Sequence, residues 1–210
     1  MTAFTIGFRT SLQAAALAAL CGTLMLHASY VRAGASNIDE HAAHRAAASS
    51  ALQIAKAEYE VPDVTLEDEH GRPIKLRQIL ASDQALVVNF IFTSCATVCP
   101  VMTATLLQLQ RELKDAYPAP RYISVSIDPD YDSATILNDY AKRFHADWTF
   151  LSGERESVLA VLRAFDAWRG GKSNHVPLTL LRRPGETQWT RVEGLTSARR
   201  LAELWRDGAG

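Results

Sequence analysis

Apolar residues follow two different periods along this chain, and the two periods predict strands and helices in turn. An almost continuous apolar run at 86–92 predicts a central strand that is covered on both faces. After it, apolar residues recur at intervals of three and four, which is typical of a helix packed on one side. This stripe consists of Met102, Leu106, Leu109 and Leu113. The position of Met102 on the stripe favours a core role over a role as a thioether ligand.

The rest of the chain beyond about residue 59 follows the same alternation. Two short apolar segments at 64–66 and 73–76 flank a turn that contains Gly71, which predicts a hairpin. Further strands are predicted at 121–128, 148–151, 175–181 and 187–192, with helices after Ser133, from Val158 to Phe165, and from Ser197. This order predicts an α/β, thioredoxin-like fold: a central mixed sheet flanked by helices, with an N-terminal hairpin extension.

The N-terminal region has a different composition. An apolar run at 14–26 follows Arg9, and the small residues at 33–35 come soon after it. This pattern is typical of a secretory signal peptide over 1–35, cleaved before Ser36. An uncleaved membrane anchor over 10–31 is the alternative, and a mitochondrial presequence is disfavoured because few arginines support it.

Between the signal and the folded domain, the residues at 36–58 predict an Ala-rich polar tether that is partly helical. The folded domain is expected over 59–208. His41 and His44 lie three apart in the tether. We expect them to be exposed helix residues, with copper binding as the weaker alternative.

Charge and cysteine count narrow the function classes. The chain has 22 Lys and Arg against 23 Asp and Glu in 210 residues, without a basic cluster, which argues against a nucleic-acid partner. Of three cysteines, Cys21 lies in the predicted signal, so the mature chain holds only Cys95 and Cys99. A single close pair closes a small loop and gains little stability from a disulfide. The pair is therefore predicted to be functional, in redox or metal chemistry.

Cys95 and Cys99 lie at the predicted junction between the central strand and the helix after it. Free N–H groups at a helix N-terminus favour a thiolate, and residues four apart share one helix face. Two thiolates select Cu(I), and an added imidazole also accommodates Cu(II), whereas structural zinc needs four protein ligands. The alternative, two cysteines buried in a core helix, is disfavoured by the polar neighbours Thr93, Ser94 and Thr97.

His175 is the candidate third ligand. It follows a glycine-bearing segment at 170–174 and enters a predicted strand. In a thioredoxin-like sheet this entry lies at the same end as the cysteines, and the glycines would let the imidazole move toward the sulfurs. A simple loop histidine is the alternative.

Three segments, at 90–103, 124–134 and 175–186, resemble the Sco/SenC family, and the resemblance extends over about 61–204. Members of this family are thioredoxin-fold copper chaperones that assemble the dinuclear copper centre of cytochrome c oxidase. The resemblance implies that Cys95, Cys99 and His175 ligate copper. It also implies that Asp128 helps to position the site or to engage partners. From the residues alone, Asp128 is equally well a turn or cap carboxylate before Pro129.

The chain departs from the family pattern near the histidine. Family members usually have a longer segment there, with an aromatic residue and an Asp close by, where this chain has only 170–174. Pro177 is also unusual and resembles the cis-proline that precedes a thioredoxin strand. A cis bond before Pro177 would place backbone against the sulfurs and support docking of a substrate thiol. These departures keep an electron-transfer role open.

The predicted function is that of an exported copper chaperone, periplasmic or anchored facing the periplasm, with the mitochondrial intermembrane space disfavoured. Its expected partner is the copper-bearing subunit of cytochrome c oxidase or another copper carrier. The alternative is a thiol–disulfide oxidoreductase that reduces the cysteine pair of such a partner, with Cys95 as the favoured attacking thiol. A peroxidase is disfavoured because no Arg lies between Val87 and Gln110.

Overall fold

The computed structural model describes residues 52–81 and 83–207. The predicted signal or anchor, its cleavage site, and His41 and His44 of the tether lie outside these residues. Among the described residues no helix combines the length and the hydropathy that a bilayer crossing requires.

In the described part of the chain, eight strands form one sheet, flanked by five helices. The strands are β1 Gln53–Ala57, β2 Thr65–Asp68, β3 Pro73–Lys75, β4 Leu86–Ile91, β5 Arg121–Ser126, β6 Thr149–Ser152, β7 Leu178–Arg182 and β8 Trp189–Glu193. The helices are α1 Leu76–Ile79, α2 Val98–Glu112, α3 Ala134–Phe144, α4 Arg155–Ala164 and α5 Ala198–Asp207, and a 3-10 turn spans Lys172–Asn174. The strand order is β1-β8-β7-β4-β5-β6-β2-β3, with β4, β5 and β6 parallel and the other pairs antiparallel. The predicted α/β class, with a mixed sheet flanked by helices, is confirmed.

Strand β4 lies at the centre of the fold, and all six of its residues are buried. Because side chains alternate across a strand, Val87 and Ile91 face the core that contains α2, α3 and α5. Val88 and Phe90 face the second core, which contains α1 and α4. Leu106, Leu109 and Leu113 of the α2 stripe belong to the first core, and Met102 is buried, as its predicted core role requires.

One edge of the sheet agrees with the prediction and the other does not. The hairpin of β2 and β3 is present, with Gly71 at φ +74 in its turn, and it extends the sheet beyond β6. At the other edge, Gln53–Ala57, predicted to belong to the tether, pairs antiparallel with β8. Alanine has little strand preference, but the unpaired edge of β8 and the half-buried Ile54 stabilise this pairing. The folded domain therefore begins before residue 59.

The sheet topology brings three loops to one end of the sheet. Strands β4 and β5 run parallel, with Ile91 opposite Ser126, so both end at the same edge. Strand β7 is antiparallel to β4, so its start lies at this edge too. We call the three segments the cysteine loop (93–99), the carboxylate loop (127–133) and the histidine loop (170–177). Their common location was predicted for the cysteines and His175 from the strand order.

Candidate metal and thiol site

The cysteine loop places the two sulfurs at the start of α2. The N–H of Cys95 donates to the carbonyl of Phe92 at 3.2 Å, which turns the chain away from β4. The first residue of α2 is Val98, and its N-cap residue Thr97 makes no side-chain cap. Instead, the N–H of Cys99 donates to Cys95 Sγ at 3.4 Å. The Cys95 sulfur thus takes one of the N–H groups that a helix start leaves unpaired.

The two thiols are free, buried and electrostatically unequal. A hydrogen bond from the Cys99 side chain lowers the pKa of Cys95 to about 5, against the opposing effect of burial, and the backbone of Cys99 and Thr97 adds to the lowering. The same interaction raises the pKa of Cys99, and burial raises it further. Near neutral pH the pair therefore consists of a Cys95 thiolate that accepts from a Cys99 thiol.

A buried carboxylate holds the N-terminal side of the cysteine loop. The N–H of Thr93 donates to the two oxygens of Asp132 at 3.3 and 3.2 Å, and the Thr93 hydroxyl donates to Oδ1. The Ser126 hydroxyl donates to Asp132 Oδ2 at 2.6 Å. Burial raises the pKa of Asp132, and the bonds from Ser126 and Thr93 act against that shift. The segment at 124–134 contains Asp132, but nothing in its local pattern distinguishes it from Asp128, which was singled out instead.

Asp128 lies in the carboxylate loop and contacts the histidine loop. Its N–H donates to Ser126 Oγ at 3.0 Å. Its carboxylate accepts from Lys172 Nζ at 2.6 Å, and Lys172 opens the 3-10 turn just before His175. The predicted supporting residue thus binds the segment that carries the predicted imidazole ligand.

His175 is buried with one ring nitrogen free. It is 6% exposed, and its Nε2 has no hydrogen-bond partner among the described residues. Burial lowers the pKa of His175 to about 4, the charge of Arg169 lowers it further, and a hydrogen bond with the backbone of Phe90 raises it. The imidazole is therefore neutral near pH 7, with Nε2 available as a ligand atom.

The predicted ligands share one end of the sheet but do not form a finished coordination site. Within 52–81 and 83–207, no three His, Cys, Asp or Glu side chains converge closely enough to hold one ion. Phe92 packs against the core cluster that contains both cysteines, and its ring meets the His175 ring edge-on at 5.9 Å between centroids. The set Cys95, Cys99 and His175 therefore stays a prediction.

The expectation of a cis bond before Pro177 is wrong. Among the described residues the only cis peptide bond is Tyr117–Pro118. His175 has extended backbone dihedrals that lead directly into β7, and the carbonyl of Pro177 accepts from the N–H of Gly194 at 2.8 Å. The Pro177 backbone is therefore tied to the end of β8, and docking of a substrate thiol through a cis-proline loses its support.

The other two described histidines make contacts of their own. His70 Nδ1 bonds Asn138 Nδ2 at 3.0 Å, and its Nε2 lies 3.3 Å from Glu69. His145 ends α3 in the left-handed conformation, at φ 54. The side-chain contacts of His70 and the helix-end position of His145 give each residue a structural role.

Comparisons with known proteins match this chain to one family, SCO1/SenC. The SCO1/SenC family model matches residues 53–186. A relative from Bacillus subtilis (strain 168), named SCO1 protein homolog, is 33% identical over 114 residues, which are 52% of this chain and 58% of the relative. The match thus spans less than two thirds of that relative's length.

Two solved structures share the fold. BsSco is described as a member of the Sco family of cytochrome c oxidase assembly proteins, with a disulfide switch. It matches with a TM-score of 0.59 and 25% identity, covering 73% of this chain and 95% of that one. Arabidopsis thaliana ScoI, solved with copper bound, matches with a TM-score of 0.58 and 20% identity, covering 70% and 94%. At the latter identity the likeness concerns the fold alone.

Proposed function

The chain belongs to the SCO1/SenC family, and from this premise we propose that it is an exported copper-binding chaperone that delivers copper to the copper centre of an oxidase. The observation that carries the proposal is the juxtaposition at one sheet end. A buried thiolate and thiol share a hydrogen bond there, and a neutral imidazole with a free Nε2 lies across Phe92. Copper bound to Arabidopsis ScoI and the oxidase assembly role given for BsSco support it.

The donor chemistry of the proposed site fits copper as cargo. Two sulfurs suit Cu(I), and the Nε2 of His175 would complete a three-ligand set that also accommodates Cu(II). Because Cys95 has a lowered pKa, Cys99 is the sulfur that must lose a proton when metal binds. His175 is already neutral and has no proton to lose at Nε2 near pH 7.

Binding is expected to proceed in two stages. The sulfurs are already adjacent, so they would take the ion first. The imidazole would then move to it, because the three groups do not converge in the structure described here. The glycines of the histidine loop, Gly170 at φ +85 and Gly171, would let the backbone rearrange for this step.

Delivery would occur by ligand exchange with a recipient that offers its own soft donors. The proposed recipient is the copper-bearing subunit of cytochrome c oxidase or another copper carrier. The proposed location is the periplasm or its membrane face, with the N-terminal region as signal or anchor. A site whose third ligand is mobile would release copper more readily than a rigid three-ligand site.

Competition with a Cu(I) chelator tests the proposal on the reduced domain. We expect one copper per chain, with binding strongly weakened in Cys95→Ser, Cys99→Ser and His175→Ala. His70→Ala is the matched control, because His70 is half exposed and bonded to Asn138 instead. Unchanged affinity in the three site variants would overturn the proposal.

A second function, thiol–disulfide exchange, is favoured by the inequality of the two thiols. The Cys95 thiolate would attack a partner disulfide, form a mixed disulfide and release one partner thiolate. Cys99, after losing its proton, would then attack Cys95 Sγ, release the second partner thiolate and leave Cys95 and Cys99 joined in a disulfide. A mixed disulfide trapped in Cys99→Ser, together with negligible copper affinity of the unaltered chain, would favour this function over delivery.

A further inference from the structure

A continuous series of hydrogen bonds joins the cysteine loop to the histidine loop. Thr93 donates to Asp132, and Asp132 also accepts from the hydroxyl of Ser126. The oxygen of that hydroxyl accepts from the N–H of Asp128, whose carboxylate binds Lys172. One end of this series lies two residues before Cys95, and the other lies three residues before His175.

Ser126 has a special place in this series. It is the last residue of β5 and is fully buried, and β5 pairs with β4, the strand that leads into the cysteine loop. Its hydroxyl donates to Asp132, which holds the cysteine loop, and accepts from the N–H of Asp128, whose carboxylate binds Lys172 of the histidine loop. A hydroxyl can fill both roles at once because it has one hydrogen and two lone pairs.

We infer that Ser126 is a positioning residue, the common anchor through which Asp132 holds the cysteine loop and Asp128 holds the histidine loop. The inference deepens the proposed function, on which it rests for the identity of the ligands. The two loops come from distant parts of the sequence and lie beyond the end of the β4–β7 pairing, whose last pair is Asn89 with Thr179. Fixing both loops to the end of one buried strand adds to the β4–β7 pairing in holding the sulfurs and the imidazole at their starting separation.

The two branches of the anchor have unequal strength. The Asp132 branch is buried and holds a backbone N–H and two hydroxyls with one carboxylate. The Asp128 branch ends in an ion pair whose Lys172 side chain is 51% exposed. Buried hydrogen bonds to a charged group contribute more than exposed ion pairs. The Asp132 branch therefore holds the cysteine loop more firmly than the Asp128 branch holds the start of the histidine loop.

Hydrogen exchange of the metal-free chain tests the anchor without copper. In Asp132→Asn we expect the Thr93 amide to exchange about tenfold faster, since an amide group cannot accept from all three donors. In Lys172→Met we expect about two- to fivefold faster exchange at His175 and Asn174, whose N–H groups bond within the loop. In Ser126→Ala both sets of amides should exchange faster.

Two controls separate loop anchoring from a general loss of stability. The amide of Val88 in β4 reports global opening and should keep its rate in each variant. Asp139→Asn alters an exposed carboxylate on α3 and should change neither loop. If Asp132→Asn proves too unstable, Thr93→Val removes the hydroxyl at nearly constant shape. If Ser126→Ala accelerates one loop only, or accelerates Val88 equally, Ser126 is not the common anchor.

A copper measurement links the anchor to the ligands. Lys172→Met should change the Cu(I) affinity of the chain with His175 by about two- to fivefold and should leave the affinity of His175→Ala unchanged. An equal shift in both backgrounds would contradict the link to His175. If the unaltered chain binds no copper, the proposed function fails, while the exchange rates still decide whether Ser126 anchors both loops.

Discussion

The cysteine loop and the histidine loop lie at the same end of the sheet but are built differently. The cysteine loop is fixed on both sides, by Asp132 before the sulfurs and by α2 after them. The histidine loop contains two glycines and a single 3-10 turn, and the exposed Lys172 ties it to Asp128. An adjacent pair of thiols thus lies at the same sheet end as a buried imidazole whose Nε2 has no partner among the described residues. This difference is what the proposed uptake and delivery of copper would require.

The loss of one sulfur should have the largest effect. Cys99→Ala removes a proposed ligand and also the S–H that stabilises the Cys95 thiolate. We expect Cu(I) affinity to fall about 1000-fold or more, which is about 4 kcal/mol. The pKa of Cys95 should rise, so alkylation of Cys95 at pH 6 should slow. Chelator competition and alkylation rates measure the two effects.

The contrast between the two loops would fail if Cys95 and Cys99 did not act together. Cys99→Ser keeps a hydroxyl donor near Cys95 and serves as the matched variant. It should retain more of the Cys95 reactivity than Cys99→Ala while losing the soft ligand. Equal alkylation rates in the unaltered chain and Cys99→Ala would contradict the hydrogen bond between the thiols.

Protonation of His175 should have the second largest effect, which is a loss of stability in acid. The folded pKa of His175, about 4, lies below its ordinary value of 6.5 because the ring is buried. Protonation therefore favours the unfolded chain. The stabilising contribution is present above pH 6.5 and is lost as pH falls toward 4, where the loss reaches about 3 kcal/mol. Urea unfolding at pH 7 and at pH 4 measures it, and His175→Gln should remove this part of the pH dependence.

Other groups also titrate between pH 7 and 4, so the difference between the unaltered chain and His175→Gln is the quantity to follow. His70→Gln is the control, since His70 is half exposed. A difference that does not change with pH would mean that the imidazole is hydrated in the folded chain. The histidine loop would then be open rather than closed over Phe92.

The parts of the site that the sequence predicts are those that depend on local pattern. The apolar run of β4 and the helix after it place Cys95 and Cys99, and the alternation of strands places His175 at the same end. Asp132 could not be recognised in this way, because its partner Thr93 is 39 residues away and its burial depends on the packing of the three loops. The cis bond expected before Pro177 was wrong, because a proline in the sequence does not by itself determine the isomer of the bond before it.

The outer strand β1, like the anchoring of the loops, depends on partners distant in the sequence. Gln53–Ala57 is Ala-rich and has no clear period, so its own residues do not predict a strand. Its pairing with β8 comes from the edge that β8 leaves free. Local pattern thus predicts the centre of the sheet, and partners distant in sequence determine its margin and the anchoring of its loops.

Removal of the buried carboxylate should rank third. Asp132→Asn keeps the shape of the side chain but cannot accept from the Thr93 N–H, the Thr93 hydroxyl and the Ser126 hydroxyl together. We expect a loss of about 1–3 kcal/mol in the free energy of unfolding at pH 7. Urea unfolding measures the loss, with Asp139→Asn as the exposed control. A loss of less than about 0.5 kcal/mol would mean that the Asp132 carboxylate does not stabilise the fold through its bonds to Thr93 and Ser126.

Removal of the exposed ion pair between Lys172 and Asp128 should have the smallest effect, and it compares the anchoring of the two loops most directly. Lys172→Met removes the ammonium that binds Asp128 and keeps the apolar part of the side chain. Because Lys172 is half exposed, we expect the free energy of unfolding at pH 7 to change by less than about 1 kcal/mol, and by less at high salt. Urea unfolding at low and high salt measures it, beside Asp132→Asn under the same conditions. If Lys172→Met proved as costly as Asp132→Asn, the two loops would be held equally firmly, and the proposed movement of the imidazole toward and away from copper would lose its support.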